Sequence, residues 1–239
     1  MSGTTMPSRG GNVYARGMPT QALTLSLPNG ETVSGLWQSP ADPAVVMVLA
    51  HGAGAGMTHR HMAATADGLE ALGVATLRYQ FPYMEKGGKR PDTPSVAQAA
   101  VRAAAEEGLR RAGDLPLFAG GRSFGARMTS QAQAKGELAG VRGLVFFAFP
   151  LHASGKPGTE RADHLQDVAV PMLFLQGTKD TLAELDLLKP VVAGLGARAT
   201  LILADDADHS FHVPARTGRK DPEVLAELLA RAVTWMRAV

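Results

Sequence analysis

The sequence predicts an α/β protein: a mostly parallel, eight-stranded sheet with helices on both faces. Three observations carry this. Apolar runs of strand length alternate with longer segments of helical pattern from residue 44 onward. Several runs, AVVMVLA at 44–50 above all, are continuously apolar, as strands covered on both faces of a parallel sheet must be. Two glycine-rich turns, at 51–57 and 120–125, each follow such a run and precede a helical segment.

In order along the chain, residues 22–27 alternate apolar and polar, Pro28-Asn29-Gly30 signals a turn, and 33–38 returns as a second strand, forming a hairpin. Pro40 and Pro43 interrupt the chain before the strand at 44–50. The loop His51-Gly52-Ala53-Gly54-Ala55-Gly56-Met57 follows, then a helix over 59–72 that Gly73 stops. A strand at 74–79 leads to a long polar loop at 81–94, rich in Pro and Gly, and an Ala-rich helix at 95–112. The strand at 115–119 enters Gly120-Gly121-Arg122-Ser123-Phe124-Gly125, and a helix spans 126–138. Next come a strand at 141–148, an irregular stretch at 149–167, and a strand at 170–176 running into Gly177-Thr178-Lys179-Asp180. A helix at 182–195, a strand at 199–204, a loop at 205–220 and a helix at 222–236, with proline at its start, close the chain.

Composition narrows the function classes. Hydrophobic content of 45% with 19% charged residues is that of a soluble globular protein. A net charge of +2, without a long basic run and with few aromatics, argues against nucleic-acid binding. No apolar run reaches the roughly 20 residues that span a bilayer, so no membrane segment is expected. The absence of cysteine excludes disulfides, thiolate catalysis and cysteine-ligated zinc, and suits a cytoplasmic protein. Residues 1–19, rich in Gly, Ser, Thr and Pro and without an apolar core, read as a flexible N-terminal arm rather than a signal peptide. Residues 20–239 read as one domain.

Ser123 carries the chemistry. A serine in G-x-S-x-G at a strand-to-helix turn is a nucleophile elbow: the glycines let strand and helix meet tightly, and the hydroxyl stands out over the helix N-terminus. A serine hydroxyl is a weak nucleophile until a base takes its proton. Asp180 and then His209 follow it, each after an apolar strand, in the chain order Ser, acid, His of α/β-hydrolases. His209 is the expected base and Asp180 the group that fixes its tautomer. Other readings stand beside these: Asp180 as a cap for the helix at 182, His212 as the base, and Asp205, Asp206 or Asp208 as the acid or as loop formers. Oxyanion donors are expected from the backbone amides of Phe124 and Ala53, with Gly54 as the alternative to Ala53, and His51 is expected to brace that loop.

The loops 81–94 and 149–167 are the expected walls of the pocket. Phe81, Tyr83, Phe124, Phe149 and Leu151 would supply apolar surface, and Arg122, Lys86, His152 and Lys156 would meet a carboxylate. Arg122, Tyr83, Phe149 and His152 are the substrate-binding candidates, and walls this modest suit short acyl groups. Two other classes are weaker. Gly52-Ala53-Gly54-Ala55-Gly56, with Arg78 to meet a 2′-phosphate, imitates a dinucleotide loop but lacks the G-x-G-x-x-G spacing. A metal site from His51, His59 and His61 lacks a carboxylate or HExxH pattern.

HGAGAGM at 51–57, RYQFPYMEKGGKRPD at 78–92, GGRSFGARM at 120–128, FPLHASGKPG at 149–158, QGTKD at 176–180 and DADHSF at 206–211 together resemble one branch of the α/β-hydrolases. That branch is similar to dienelactone hydrolase and to the hydrolase-like domain of a subunit of the non-specific-lethal chromatin complex. The likeness runs from about residue 22 onward. It implies the α/β-hydrolase fold and the triad Ser123, Asp180 and His209, but no particular substrate. The expectation is a serine-dependent esterase acting on a small-molecule acyl substrate, without metal or cofactor. A non-catalytic binding module on the same fold is the alternative.

Overall fold

The Pro28-Asn29-Gly30 turn joins β1 (Gln21–Ser26) to β2 (Thr32–Gln38) as an antiparallel hairpin, with Leu25 opposite Val33. The computed structural model describes residues 19–239, so the arm expected over 1–19 lies outside the described residues but for Pro19. From β3 (Val45–Ala50) onward, strands alternate with helices: α1 (Arg60–Ala71), β4 (Val74–Tyr79), the short α2 (Pro82–Glu85), α3 (Pro94–Ala112), β5 (Leu117–Arg122), α4 (Phe124–Ala134), β6 (Val141–Phe147), β7 (Met172–Gly177), α5 (Leu185–Gly194), β8 (Ala199–Ala204) and α6 (Asp221–Ala238). The eight strands lie in the order β1-β2-β4-β3-β5-β6-β7-β8, and from β4 to β8 neighbours are parallel.

The continuous apolar runs are explained by two cores, one on each sheet face. Successive side chains of a strand point to opposite faces. Val46, Val48 and Ala50 accordingly join a cluster with Ala97 and Ala104 of α3 and Ala126 and Met128 of α4. Val45, Met47 and Leu49 join another with Met62 and Leu69 of α1 and Leu228 and Val233 of α6. Each buried aliphatic side chain contributes about 1.5–3 kcal/mol of apolar transfer, so a polar substitution anywhere in 45–50 destabilises.

Strand order places the site. β3 lies between β4 and β5, so the chain departs in opposite directions from the sheet centre, and crevices at such switch points hold ligands. Ala50 pairs with Gly121, which brings the loop after β3 beside the turn after β5. β5 also runs further than its glycines suggest. Gly120, Gly121 and Arg122 stay in the ladder opposite Val145, Phe146 and Phe147. A glycine pair that reads as a turn is here a strand end that other backbones approach closely.

Candidate active site

The turn after β5 is built by close approach. A Cβ on Gly121 would sit 2.4 Å from the Ala50 carbonyl oxygen, and one on Gly125 would sit 2.6 Å from that of His51. Only glycine fits both places, and α4 can then start directly above β3. Ser123 between them takes φ 50° and ψ −111°, a left-handed conformation that costs a non-glycine residue about 1–3 kcal/mol. The strain thrusts the hydroxyl out of the sheet edge.

Asp180, in the turn after β7, and His209, in the loop after β8, reach this hydroxyl. Ser123 Oγ lies 2.9 Å from His209 Nε2, and His209 Nδ1 lies 2.7 Å from Asp180 Oδ2. A carboxylate only accepts, so Nδ1 carries the ring proton and Nε2 presents its lone pair to the hydroxyl. Asp180 is buried while His209 is partly open to solvent. Asp180 also makes the contact expected of a turn former: its Oδ1 accepts from the Leu182 amide at 2.8 Å. Gln176, which the sequence reading passed over, completes the arrangement. Its amide nitrogen donates to Asp180 Oδ2, and its oxygen accepts from the Phe149 amide. A polar residue buried at the end of the apolar run MLFLQG is the local signal for it.

The other candidates for base and acid lie elsewhere. His212 pairs with Asp221 on the surface. Asp208 accepts from the amides of Ser210 and His212, Asp206 pairs with Arg216, and Asp205 is exposed, so none of the three holds His209.

The loop after β3 is held from several sides. His51 Nδ1 contacts the Gly52 carbonyl at 2.8 Å, and the Phe81 amide donates to Nε2 at 3.1 Å. A trans peptide aims its C=O and N–H in opposite directions, so anchoring the Gly52 carbonyl fixes the direction of the Ala53 amide. The Gly54 amide donates to the Tyr83 phenol oxygen at 2.9 Å and is therefore occupied. Among the described residues, neither the Ala53 nor the Phe124 amide donates to a protein acceptor.

The alpha/beta hydrolase domain model matches residues 43–237, far more than half of the chain. This chain belongs to the α/β-hydrolase family. Solved structures agree on the fold of this α/β-hydrolase. An α/β serine hydrolase homologue from Coxiella burnetii is 22% identical, covers 90% of this chain and 98% of its own, and superposes with a TM-score of 0.72. A serine hydrolase from Xanthomonas campestris, described as lacking a lid, is 24% identical, with 90% and 94% covered and a TM-score of 0.71. Dienelactone hydrolase from Anabaena variabilis is 18% identical, with 92% and 97% covered and a TM-score of 0.75.

The cavity of this α/β-hydrolase is not walled as the sequence suggests. About 420 Å³ opens over Ser123 and His209, bordered by Ala53, Arg60, Arg122 and Leu182. Neither loop 81–94 nor loop 149–167 borders it: each buries its first residues, 81–83 and 149–152, and leaves 85–90 and 154–157 exposed. Phe149 is fully buried against Phe146 and Phe174. His152 is buried beneath its own loop and paired with Glu184. Tyr83 is buried as the second residue of α2, its hydroxyl oxygen accepting from the Gly54 amide. These three therefore brace the scaffold rather than touch the cavity, and Lys86 is drawn away to Glu31. Arg122 does border the cavity, and it does a second thing the sequence does not reveal. Its guanidinium donates to the His209 carbonyl at 2.7 Å and lies over the Phe211 ring at 5.5 Å, latching the loop that carries His209. Arg78, the candidate for a 2′-phosphate, is buried on Gln38 and the Met57 carbonyl. No helix among the described residues is long and apolar enough to cross a membrane.

Two consequences are measurable. Tyr83→Phe removes the acceptor of the Gly54 amide, which should cost about 1 kcal/mol of stability. With the loop less firmly held, kcat/KM for an ester should fall by roughly 3–10-fold through kcat, because an oxyanion donor on this loop would act on the transition state. Unchanged stability together with unchanged kcat would dismiss the brace. The second consequence concerns acid. Burial pushes His51 down to about 4, against the opposing hydrogen bond to Gly52. Burial, followed by the nearby Arg127 charge, does the same to His164, with Asp163 and Asp167 opposing. Between that value and the ordinary 6.5, the unfolded chain takes up protons that the folded chain refuses. Stability is therefore complete above 6.5 and is lost as the pH falls toward 4, by on the order of 3 kcal/mol for His51. Urea midpoints at pH 7, 5.5 and 4.5 should fall in step, and the His51 ring should stay neutral by nitrogen NMR at pH 5. A ring that titrates near 6.5 would refute this.

Proposed function

We propose that this α/β-hydrolase is a serine hydrolase of the carboxylesterase type, cleaving small ester-type acyl bonds through an acyl-enzyme. The observation that carries the proposal is the hydrogen-bonded series Ser123–His209–Asp180 beside two unpartnered amides. In this reading His209 Nε2 takes the Ser123 proton as Oγ attacks the ester carbonyl. The carbonyl oxygen becomes an oxyanion on the Ala53 and Phe124 amides, at the positive end of α4. Buried Asp180 stabilises the imidazolium. Collapse of the intermediate breaks the C–O bond, His209 returns the proton to the leaving alkoxide, and the acyl group stays on Ser123. Water then attacks by the same route, with His209 as base, and releases the acid. The balance needs no cofactor.

A fluorophosphonate tests this directly. It should add once, to Ser123, in the wild type, and not at all in Ser123→Ala. A wild type that neither takes the label nor turns over aryl acetates would instead be a binding module on a hydrolase fold.

A further inference from the structure

Two cavities meet at the reaction centre. Besides the one over Ser123, a cleft of about 380 Å³ runs between α1 and α6, lined largely by Ala64, Gly68, Phe211, Leu225 and Leu229. The two share Arg60, His61, Arg122 and Ser210, so the apolar cleft communicates with the nucleophile past a basic collar. The helices close against each other at its floor, where a Cβ on Gly68 would lie 2.4 Å from Leu229 Cδ1.

Among the described residues, neither Arg60 nor Arg122 makes an ion pair. Arg122 has the His209 carbonyl and the Phe211 face, and burial lowers its pKa against the opposing pull of Asp180 and Asp208. Burial also lowers that of His61, and the charges of Arg122, His59 and Arg60 push the same way, with Asp221 opposing. The nearby carboxylates already have partners: Asp180 has His209, Asp208 has two amides, and Asp221, which itself lines the cleft, has His212 and the Val213 amide. Arg60 stands exposed at the rim, whereas Arg122 is half-buried; a cation partly withdrawn from water without a directly paired counter-ion is costly, and an anionic ligand reaching both arginines would supply one.

We propose that this site takes esters that also bear a free carboxylate, held by Arg60 and Arg122 at the collar, and an aryl or short alkyl group lodged in the α1–α6 cleft. The proposal rests on the hydrolase reading only for the position of the ester carbonyl. Arg60 is the residue to change, because Arg122 also holds the His209 loop.

Calorimetric titration of the full chain carrying Ser123→Ala, with phenylbutyrate and with phenylbutyramide, tests it without turnover. The acid should bind about 10-fold tighter than the amide, as a charge-assisted pair predicts. Adding Arg60→Gln should abolish that preference and leave the amide's affinity unchanged. Adding Ala226→Trp, at an exposed position lining the cleft, should weaken both ligands about 10-fold by filling it. Equal affinity for acid and amide, no binding of either, an Arg60→Gln without effect, or an Ala226→Trp that leaves both affinities intact would overturn the proposal. None of these results bears on labelling of wild-type Ser123, which tests the hydrolase reading separately.

Discussion

Ser123→Ala should lower kcat/KM for any ester substrate by at least about 10⁴-fold, with the fold intact; the corresponding change in a serine protease costs about 10⁶-fold in kcat. The residue left behind explains why stability is spared. Among the described residues the serine hydroxyl's one side-chain partner is His209 Nε2, and His209 keeps both Asp180 on its other nitrogen and the Arg122 latch on its carbonyl. The left-handed backbone at Ser123 persists in the alanine variant because the close packing of Gly121 and Gly125 imposes it, and alanine is strained at φ 50° as serine is. Ser123→Gly separates the two properties of the elbow. It should be as inactive as alanine yet more stable than it by about 1 kcal/mol, since glycine alone occupies this region without strain. Turnover of Ser123→Ala above a tenth of wild type would remove the nucleophile assignment. A glycine variant less stable than the alanine one would show that the elbow stores no strain.

What the sequence made legible were features with a local physical cause. AVVMVLA reads as a doubly covered strand because its side chains must alternate between two cores, and they do. Ser123, Asp180 and His209 were found because each follows an apolar strand in a parallel sheet, so all three ends share one edge. Features that depend on how a loop turns were not legible. Nothing local distinguishes a Tyr83 facing a cavity from one driven under the glycine loop by a single helical turn. Phe149 and His152 likewise follow an active-edge strand, yet the backbone reverses them into the core, where Ala148 takes φ 58°. The cavity wall was hidden for another reason. Arg60, His61 and Ala64 lie on α1, and nothing in their local sequence marks them as a wall. They become a wall only because α6, from the far end of the chain, packs alongside α1.

Asp180→Asn should lower kcat by roughly 10²–10⁴-fold, the upper figure being the cost of the equivalent change in a serine-protease triad. The surroundings of Asp180 say why asparagine cannot substitute. The Leu182 amide donates to Oδ1, while His209 Nδ1 and the Gln176 side-chain nitrogen both donate to Oδ2. Gln176 cannot turn over to help, because its oxygen already accepts from the Phe149 amide. Asparagine has one acceptor atom for these two places. With its oxygen at Leu182, its NH₂ faces two donors, His209 must move its proton to Nε2, and the lone pair needed to take the Ser123 proton is gone. With its oxygen at His209, the tautomer survives but the Leu182 amide loses its acceptor, at about 1–2 kcal/mol of stability. The first arrangement gives the large kinetic loss. The second gives a smaller loss with a lowered Tm, so kcat and Tm measured together identify which one forms. Gln176→Glu sharpens the test: it sets a second carboxyl oxygen against Asp180 and should impair both stability and kcat, whereas Asp208→Asn should leave kcat within about 3-fold of wild type, since that residue only shapes its own loop. Full activity in Asp180→Asn with a collapse in Asp208→Asn would transfer the orienting role to the loop, and full activity in both would mean that His209 needs no carboxylate at all.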